Sequence, residues 1–313
     1  MSKNKSTKAP ANNNFSSPKY WFTHFNLWVL KRIASLSSER RQKLGNFLGR
    51  LMFKLASKRR RIATKNIELC FPKLTPTETE QRVRANMMAT GQGLVETASC
   101  WFSDLSEQRA NTKLIGKDNL DNALKAGKGV LLLGFHMTSL EIGGCLLGHH
   151  YDLSAMYKPN KNPLFDKAME EGRLVHLEQL LDRDNLRGTI KALRKNKIVW
   201  YATDQNYGGK TRVFVPFFGI QTATITATTK LAKMTCATVV PFTQKRLDKA
   251  DHYELEFHTP FSPFPSESES NPEVKDATMI NQFLEDYLIK NPVDYMWLHQ
   301  RFRTRPEGEA SIY

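Results

Sequence analysis

The chain has 313 residues, enough for one large domain, or one domain with a helical extension, and for a sizeable core. Lys and Arg number 46 against 31 Asp and Glu, a formal net charge of +15. That excess favours a polyanionic partner: nucleic acid, an anionic membrane surface or a phosphorylated substrate. The four cysteines, Cys70, Cys100, Cys145 and Cys236, form no CxxC pair and have no histidine at metal-ligand spacing. This argues against a disulfide framework or a zinc site and reads as reduced thiols.

Residues 1–18 are rich in Asn, Ser and Lys and lack the apolar core of a secretory signal. They read as a disordered cytosolic tail. Residues 19–65 read as a membrane-associated helical segment. The uncharged run Tyr20 to Leu30 ends at Lys31 and Arg32 and is short for a bilayer span, which needs about 20 apolar residues. Tyr20, Trp21, Phe22, Phe25 and Trp28 suit the headgroup region instead. Phe47, Leu51 and Leu55 follow at helical spacing beside Lys54, Lys58, Arg59, Arg60 and Arg61. The alternative is an amphipathic core helix with a solvated basic face.

Residues 66–313 read as an α/β domain: a mixed, largely parallel sheet flanked by helices. Thr75, Pro76 and Glu78 spell a helix start with a capping box. "GVLLLGF" at 129–135 has the continuous apolar character of a central parallel strand. "LSAMYKP", "IVWYAT", "ATVVPFTQKR" and "YELEFHT" read as further strands, with a helix expected over 187–196. "TATITATTKLAKMT" is expected to be helical. "PFSPFPSESESNPE" is a loop by composition, and "DATMINQFLEDYLIKNP" a helix ending before Pro292.

Ligands of open α/β sheets bind beyond the carboxyl ends of the strands. His136 stands just past "GVLLLGF" and Asp204 just past "IVWYAT". Glu141 follows His136 with four residues between them. If His136 precedes a helix and Glu141 lies in its first turn, the carboxylate can accept from Nδ1–H and leave Nε2 to take a proton from a hydroxyl. The competing reading is a capping box over Thr138–Glu141, with Glu141 serving only the backbone. "YATDQNYGGKTRVFVPFFG" reads either as a polar catalytic edge beside an acyl-chain wall or as a loop before a packed edge strand. Asp204 itself is open to a purely turn-forming role.

"GFHMTSLEIGG", "YKPNKNP", "WYATDQNYG", "VFVPFFG" and "YMWLHQRFRTRPEG", in this order, resemble the lipid A late acyltransferases of Gram-negative bacteria, most closely the lauroyl or palmitoleoyl transferase branch. The resemblance runs from "KYWFTHF" to the end of the chain. It implies transfer of an acyl chain from acyl-acyl carrier protein to a hydroxyl of Kdo2-lipid IVA in lipopolysaccharide biosynthesis. The setting would be the cytoplasmic face of the inner membrane, with no metal or other cofactor and no nucleic-acid partner. The family's H-x4-D/E motif falls on His136 and Glu141, its downstream arginine on Arg173 and its later acid on Asp204. Histidine would activate the acceptor hydroxyl, the acid would orient it, and backbone N–H groups near 136–139 or a cation would hold the oxyanion. Lys158, where an arginine is expected, keeps the charge without the bidentate fork. Arg301 and Arg303, with Arg305, would project one way from an extended segment toward a phosphorylated headgroup or the acidic carrier.

Three other functions are weighed. A glycerophospholipid acyltransferase shares H-x4-D/E, but its "EGTR"-like block is missing here. A basic nucleic-acid-binding protein explains the charge but neither the aromatic segment nor the strand-end His and Asp. A non-enzymatic membrane-surface scaffold leaves His136 unused.

Overall fold

The computed structural model describes residues 14–267 and 270–313. Most of the expected tail, residues 1–13, lies outside them; residues 14–17 lead into a short 3-10 turn at Pro18–Tyr20. Three helices follow: α1 (Trp21–Ala34), α2 (Ser38–Leu55) and α3 (Ser57–Cys70). The long α4 (Pro76–Phe102) starts with the expected capping box, Thr75 and Glu78 each serving the other's backbone N–H. After α5 (Ser106–Ala110), strands and helices alternate: β1 (Thr112–Ile115), α6 (Lys117–Lys125), β2 (Val130–Gly134), α7 (Leu140–His150), β3 (Leu153–Tyr157), α8 (Pro163–Leu174), β4 (Gln179–Asp182), α9 (Leu186–Arg194) and β5 (Ile198–Ala202). β6 (Arg212–Phe217), β7 (Ile220–Ile225), α10 (Ala227–Thr235), β8 (Thr238–Arg246), β9 (Tyr253–Phe257) and α11 (Pro272–Lys290) complete the order.

Seven strands form one sheet in the order β1-β9-β8-β2-β5-β3-β4. Every neighbouring pair is parallel except β8 and β9, so the sheet is mixed and largely parallel as its patterning implies. β2 is buried at every position, which is why it reads as an unbroken apolar run. β2 and β5 pair with Gly134 opposite Ala202. The residues two places beyond each, His136 and Asp204, therefore leave the sheet side by side.

One segment departs from expectation. Within "TATITATTKLAKMT" only the second half is helical; the first half belongs to β7, paired antiparallel with β6 in a separate ribbon. β-branched residues alternating with alanine suit a pleated surface, and Thr222 and Thr224 both point inward and are buried. Phe218 and Gly219, at φ 51° and 75°, close the ribbon with the two-residue left-handed turn that hairpin twist favours. "VFVPFFG" is thus the packed edge strand of the two readings and lies against α11.

α1 and α2 pack on α4. α2 crosses α4 at near backbone contact: a methyl group on Gly91 would stand 2.3 Å from the Gly45 carbonyl oxygen, and one on Gly49 2.4 Å from the Met88 Cα. On the outer side of these helices Trp21, Phe22, Phe25 and Trp28 stay more than half exposed, with Phe47 and Leu55 exposed beyond them on α2. Among the described residues no helix is long and apolar enough to cross a membrane. All four cysteines are free thiols, and only Cys236 is exposed. Gly91→Ala is expected to force the α2–α4 crossing apart at a cost of about 1–3 kcal/mol, read as a lowered midpoint in chemical denaturation.

Candidate active site

His136 and Asp204 meet at the carboxyl end of the sheet. The His136 Nδ1–H donates to Asp204 Oδ1 at 2.9 Å, and the His136 backbone N–H donates to both carboxylate oxygens at 3.1 Å. Asp204 is buried, while a quarter of the His136 side chain remains exposed. Burial opposes the charge on Asp204, but the facing His136 and the hydrogen bonds it donates hold the carboxyl well below the usual range. Burial likewise pulls the His136 imidazole down, and the Asp204 charge more than offsets it, so its pKa lies above 6.5. The tautomer is set by Asp204, and Nε2 has no hydrogen-bond partner among the described residues.

Glu141 does not take part. Its Oε1 accepts from Arg173 Nε at 2.8 Å and from the Trp101 indole at 2.7 Å, and its Oε2 accepts from Arg173 Nη2 at 2.7 Å. Both acceptor atoms are committed, which corrects the reading of Glu141 as the orienting acid of His136. The capping-box alternative fails too, because α7 has no side-chain cap. Burial would raise the Glu141 pKa, yet Arg173 and Trp101 keep it lowered and the pair ionic. The fork geometry uses Nε and Nη2 of Arg173 and leaves Nη1 unpartnered among the described residues.

The C-terminal segment works as a strap over the His136 loop. Met137 bridges Tyr295 antiparallel, the Thr138 N–H donates to the Asp294 carbonyl at 2.6 Å, and the Met296 N–H donates to the His136 carbonyl at 2.9 Å. The Tyr295 hydroxyl donates to the Asp204 carbonyl at 3.1 Å. Two asparagines hold the strap from behind. The Asn86 amide donates to the carbonyls of Val293 and Tyr295 at 2.8 and 2.6 Å; the Asn66 amide donates to those of Trp297 and His299 at 2.7 and 2.8 Å. Each amide group thus spans two carbonyls two residues apart. On the other flank Arg246 pairs with Glu96 and donates to the Thr138 hydroxyl and carbonyl at 2.8 and 2.7 Å. Asn66, Asn86, Trp101 and Arg246 carry no motif. An asparagine on an otherwise apolar helix face, as in "NIELC" and "ANMM", is the one local sign that a buried amide needs partners.

Arg301 faces the protein interior and not an exposed segment. It is fully buried, donating from Nη1 to the Ala223 carbonyl at 2.9 Å and from Nη2 to Thr224 Oγ1 at 3.2 Å, with its guanidinium 5.3 Å from the centre of the Phe217 ring. The chain past the strap turns, with N–H bonds from Arg301 to His299 and from Arg303 to Gln300, so the alternation expected of an extended arginine segment is lost. Arg305 donates to the Gln221 carbonyl at 2.6 Å and pairs with Glu309. Arg303 is exposed but does not line the cavity beside His136.

That cavity holds about 780 Å³. His136, Glu141, Lys158 and Arg173 are among its polar lining, and Leu153, Met169, Trp200 and Leu231 among its apolar walls. The backbone donors expected for an oxyanion are largely committed: the N–H groups of His136, Met137 and Thr138 are bonded to Asp204, Phe135 and Asp294. Arg173, whose Nη1 has no hydrogen-bond partner among the described residues, lines the cavity together with Lys158 and Arg183.

The sequence profile described as "Bacterial lipid A biosynthesis acyltransferase" matches residues 9–304. The chain is 37% identical over 298 residues to the lipid A biosynthesis lauroyltransferase of Escherichia coli (strain K12), covering 95% of this chain and 96% of that protein. It is 35% identical to the palmitoleoyltransferase of the same organism, with 96% of each chain covered. A lipid A biosynthesis acyltransferase of Haemophilus influenzae is 34% identical, again with 96% of each covered.

The chain belongs to the lipid A biosynthesis acyltransferase family. This lipid A acyltransferase is an enzyme of late lipid A acylation, and its acceptor is of the lipid A type. In it the strap and its asparagines set the backbone of the His136 loop. Asn86→Ala removes the side-chain donor of the Val293 carbonyl and one of the two donors of the Tyr295 carbonyl, which keeps the Trp297 N–H. The expected outcome is a loss of about 1–3 kcal/mol in stability and a turnover that falls more than apparent substrate affinity, read by denaturation and steady-state kinetics.

Proposed function

We propose that this protein transfers an acyl chain from acyl-acyl carrier protein to a hydroxyl of Kdo2-lipid IVA at the cytoplasmic face of the inner membrane. The observation that carries the reading is the His136–Asp204 pair, which leaves Nε2 unpartnered on an imidazole lining a largely apolar cavity. His136 Nε2 takes the proton of the acceptor hydroxyl as its oxygen attacks the thioester carbonyl. The tetrahedral intermediate collapses by breaking the carbon–sulfur bond, and the proton passes from the imidazolium to the departing thiolate of the carrier. Asp204 fixes the tautomer and supports the imidazolium. Arg173, oriented by Glu141 and Trp101, offers Nη1 to the oxyanion or to a substrate phosphate. Lys158 adds a second, more mobile cation lining the same cavity.

Membrane association belongs to the same reading. The aromatic residues of α1 lie at positions 21, 22, 25 and 28, one stripe of a helix, with exposed apolar and basic residues continuing along α2. A short aromatic stripe next to clustered cations suits a helix lying in the interface of an anionic bilayer. Replacing Trp21, Phe22, Phe25 and Trp28 together by serine is expected to abolish co-sedimentation with phosphatidylglycerol-containing vesicles while leaving the fold intact.

The deciding experiment is mass spectrometry of Kdo2-lipid IVA after incubation with the protein and acyl-carrier donors. The expected result is a gain of one acyl group, reduced in His136→Ala by roughly 10²–10⁴-fold. No gain with any donor overturns the proposal. Because the base acts unprotonated, the rate falls as pH drops through the His136 pKa, which lies above 6.5. In Asp204→Asn the acid limb of the pH–rate profile moves to lower pH and the plateau falls.

A further inference from the structure

We propose that the exposed face of α9 is the docking surface for the acidic carrier protein that delivers the acyl group; this rests on the carrier-donor reading above. Arg187, Lys191, Arg194 and Lys195 recur at i, i+4, i+7 and i+8, one stripe of the helix, and all are exposed. Arg183 precedes them on the loop from β4. No carboxylate pairs with Arg187, Lys191, Arg194 or Lys195 among the described residues, and Arg183 has only its neighbour Asp184 at 3.8 Å. Two cations nearby are paired instead: Lys230 on α10 reaches Glu273 at 3.5 Å, and Lys197, just before β5, reaches Glu178 at 2.8 Å. The four cations of the stripe thus make a concentrated positive field, with no carboxylate paired to them among the described residues.

Its position ties it to the chemistry. Arg183, Asp184 and Leu186, where α9 begins, line the cavity that also holds His136. Leu186 is exposed there, and Met234 is exposed beside the far end, where Arg194 donates to its carbonyl at 3.1 Å. Isolated apolar residues inside a basic patch suit a protein partner with an acidic helix and a few apolar contacts. A bilayer is the other polyanion, but the aromatic belt lies elsewhere. β3 to β4 and β4 to β5 run in opposite directions across the sheet, so their right-handed crossovers put α8 and α9 on opposite faces. α1 packs on α4 and α8, the face away from α9. The lipid-facing aromatics and the cationic stripe therefore address two different partners of one cavity.

The test is the double variant Arg187→Glu with Lys191→Glu in the full-length protein. The expected result is a KM for acyl-acyl carrier protein raised roughly tenfold, with weakened calorimetric binding of the carrier and little change in kcat. The parental KM should rise with salt and the variant's should not. Arg187→Lys with Lys191→Arg should behave as the parent, and vesicle co-sedimentation and thermal midpoint should be unchanged in both. Unchanged carrier KM and binding in the reversed-charge variant overturns the surface while leaving the donor reading standing. Loss of vesicle binding in place of carrier binding assigns the stripe to lipid and also overturns it. A parent protein that neither binds nor uses the carrier overturns the donor reading and the surface with it.

Discussion

The register of two parallel strands underlies the site. With Gly134 paired to Ala202, the chains of β2 and β5 leave the sheet in step, and His136 and Asp204 emerge as neighbours. The contact between them is more than a side-chain hydrogen bond, since the His136 backbone N–H also donates to the carboxylate. A buried carboxylate is costly unless its lone pairs are met. Here they are met by the residue that needs the carboxylate, so the ionised Asp204 and the oriented His136 stabilise each other.

The same rule explains why Glu141 is turned elsewhere. Arg173 is only partly exposed and needs a planar acceptor, and Glu141 supplies both oxygens while Trp101 occupies the remaining direction on Oε1. Two carboxylates are candidates for one histidine, one close in sequence and one brought in by the sheet, and the geometry divides them: Asp204 serves the imidazole, Glu141 a guanidinium lining the cavity. A single carboxylate would leave either the cation or the imidazole without its partner.

A sheet edge does not hold a loop rigid by itself. The His136 loop is fixed from outside by the strap at 293–299, which is anchored by Asn86 and Asn66 and braced across the loop by Arg246 and Glu96. Burial and neutrality of His299, pushed down to about 4 by desolvation, keep a second positive charge away from the dyad. Residues of the chain's last twenty-odd positions thus bear on a histidine in its first half, and Arg301 belongs to that scaffold.

Much of the fold was legible in residue order. The apolar run of β2, the capped start of α4, the helix at α11 and the two strand ends carrying His136 and Asp204 follow from local patterning, because buried strands and helix termini impose local chemistry. The amphipathic character of the first helices was equally plain. Other features required contacts that no local pattern encodes. The threonine-rich stretch before α10 joins a hairpin because Phe218 and Gly219 turn it back on β6. Arg301 is buried because the chain turns after His299. The family's motif spacing names His136 and Glu141 together, yet which acid meets the imidazole depends on strand register and on where Arg173 stands. Sequence alone determined which residues carry the charge, the base and the apolar faces; the tertiary structure decided their partners, because hydrogen bonds in a buried site are assigned by distance across the sheet and not by separation along the chain.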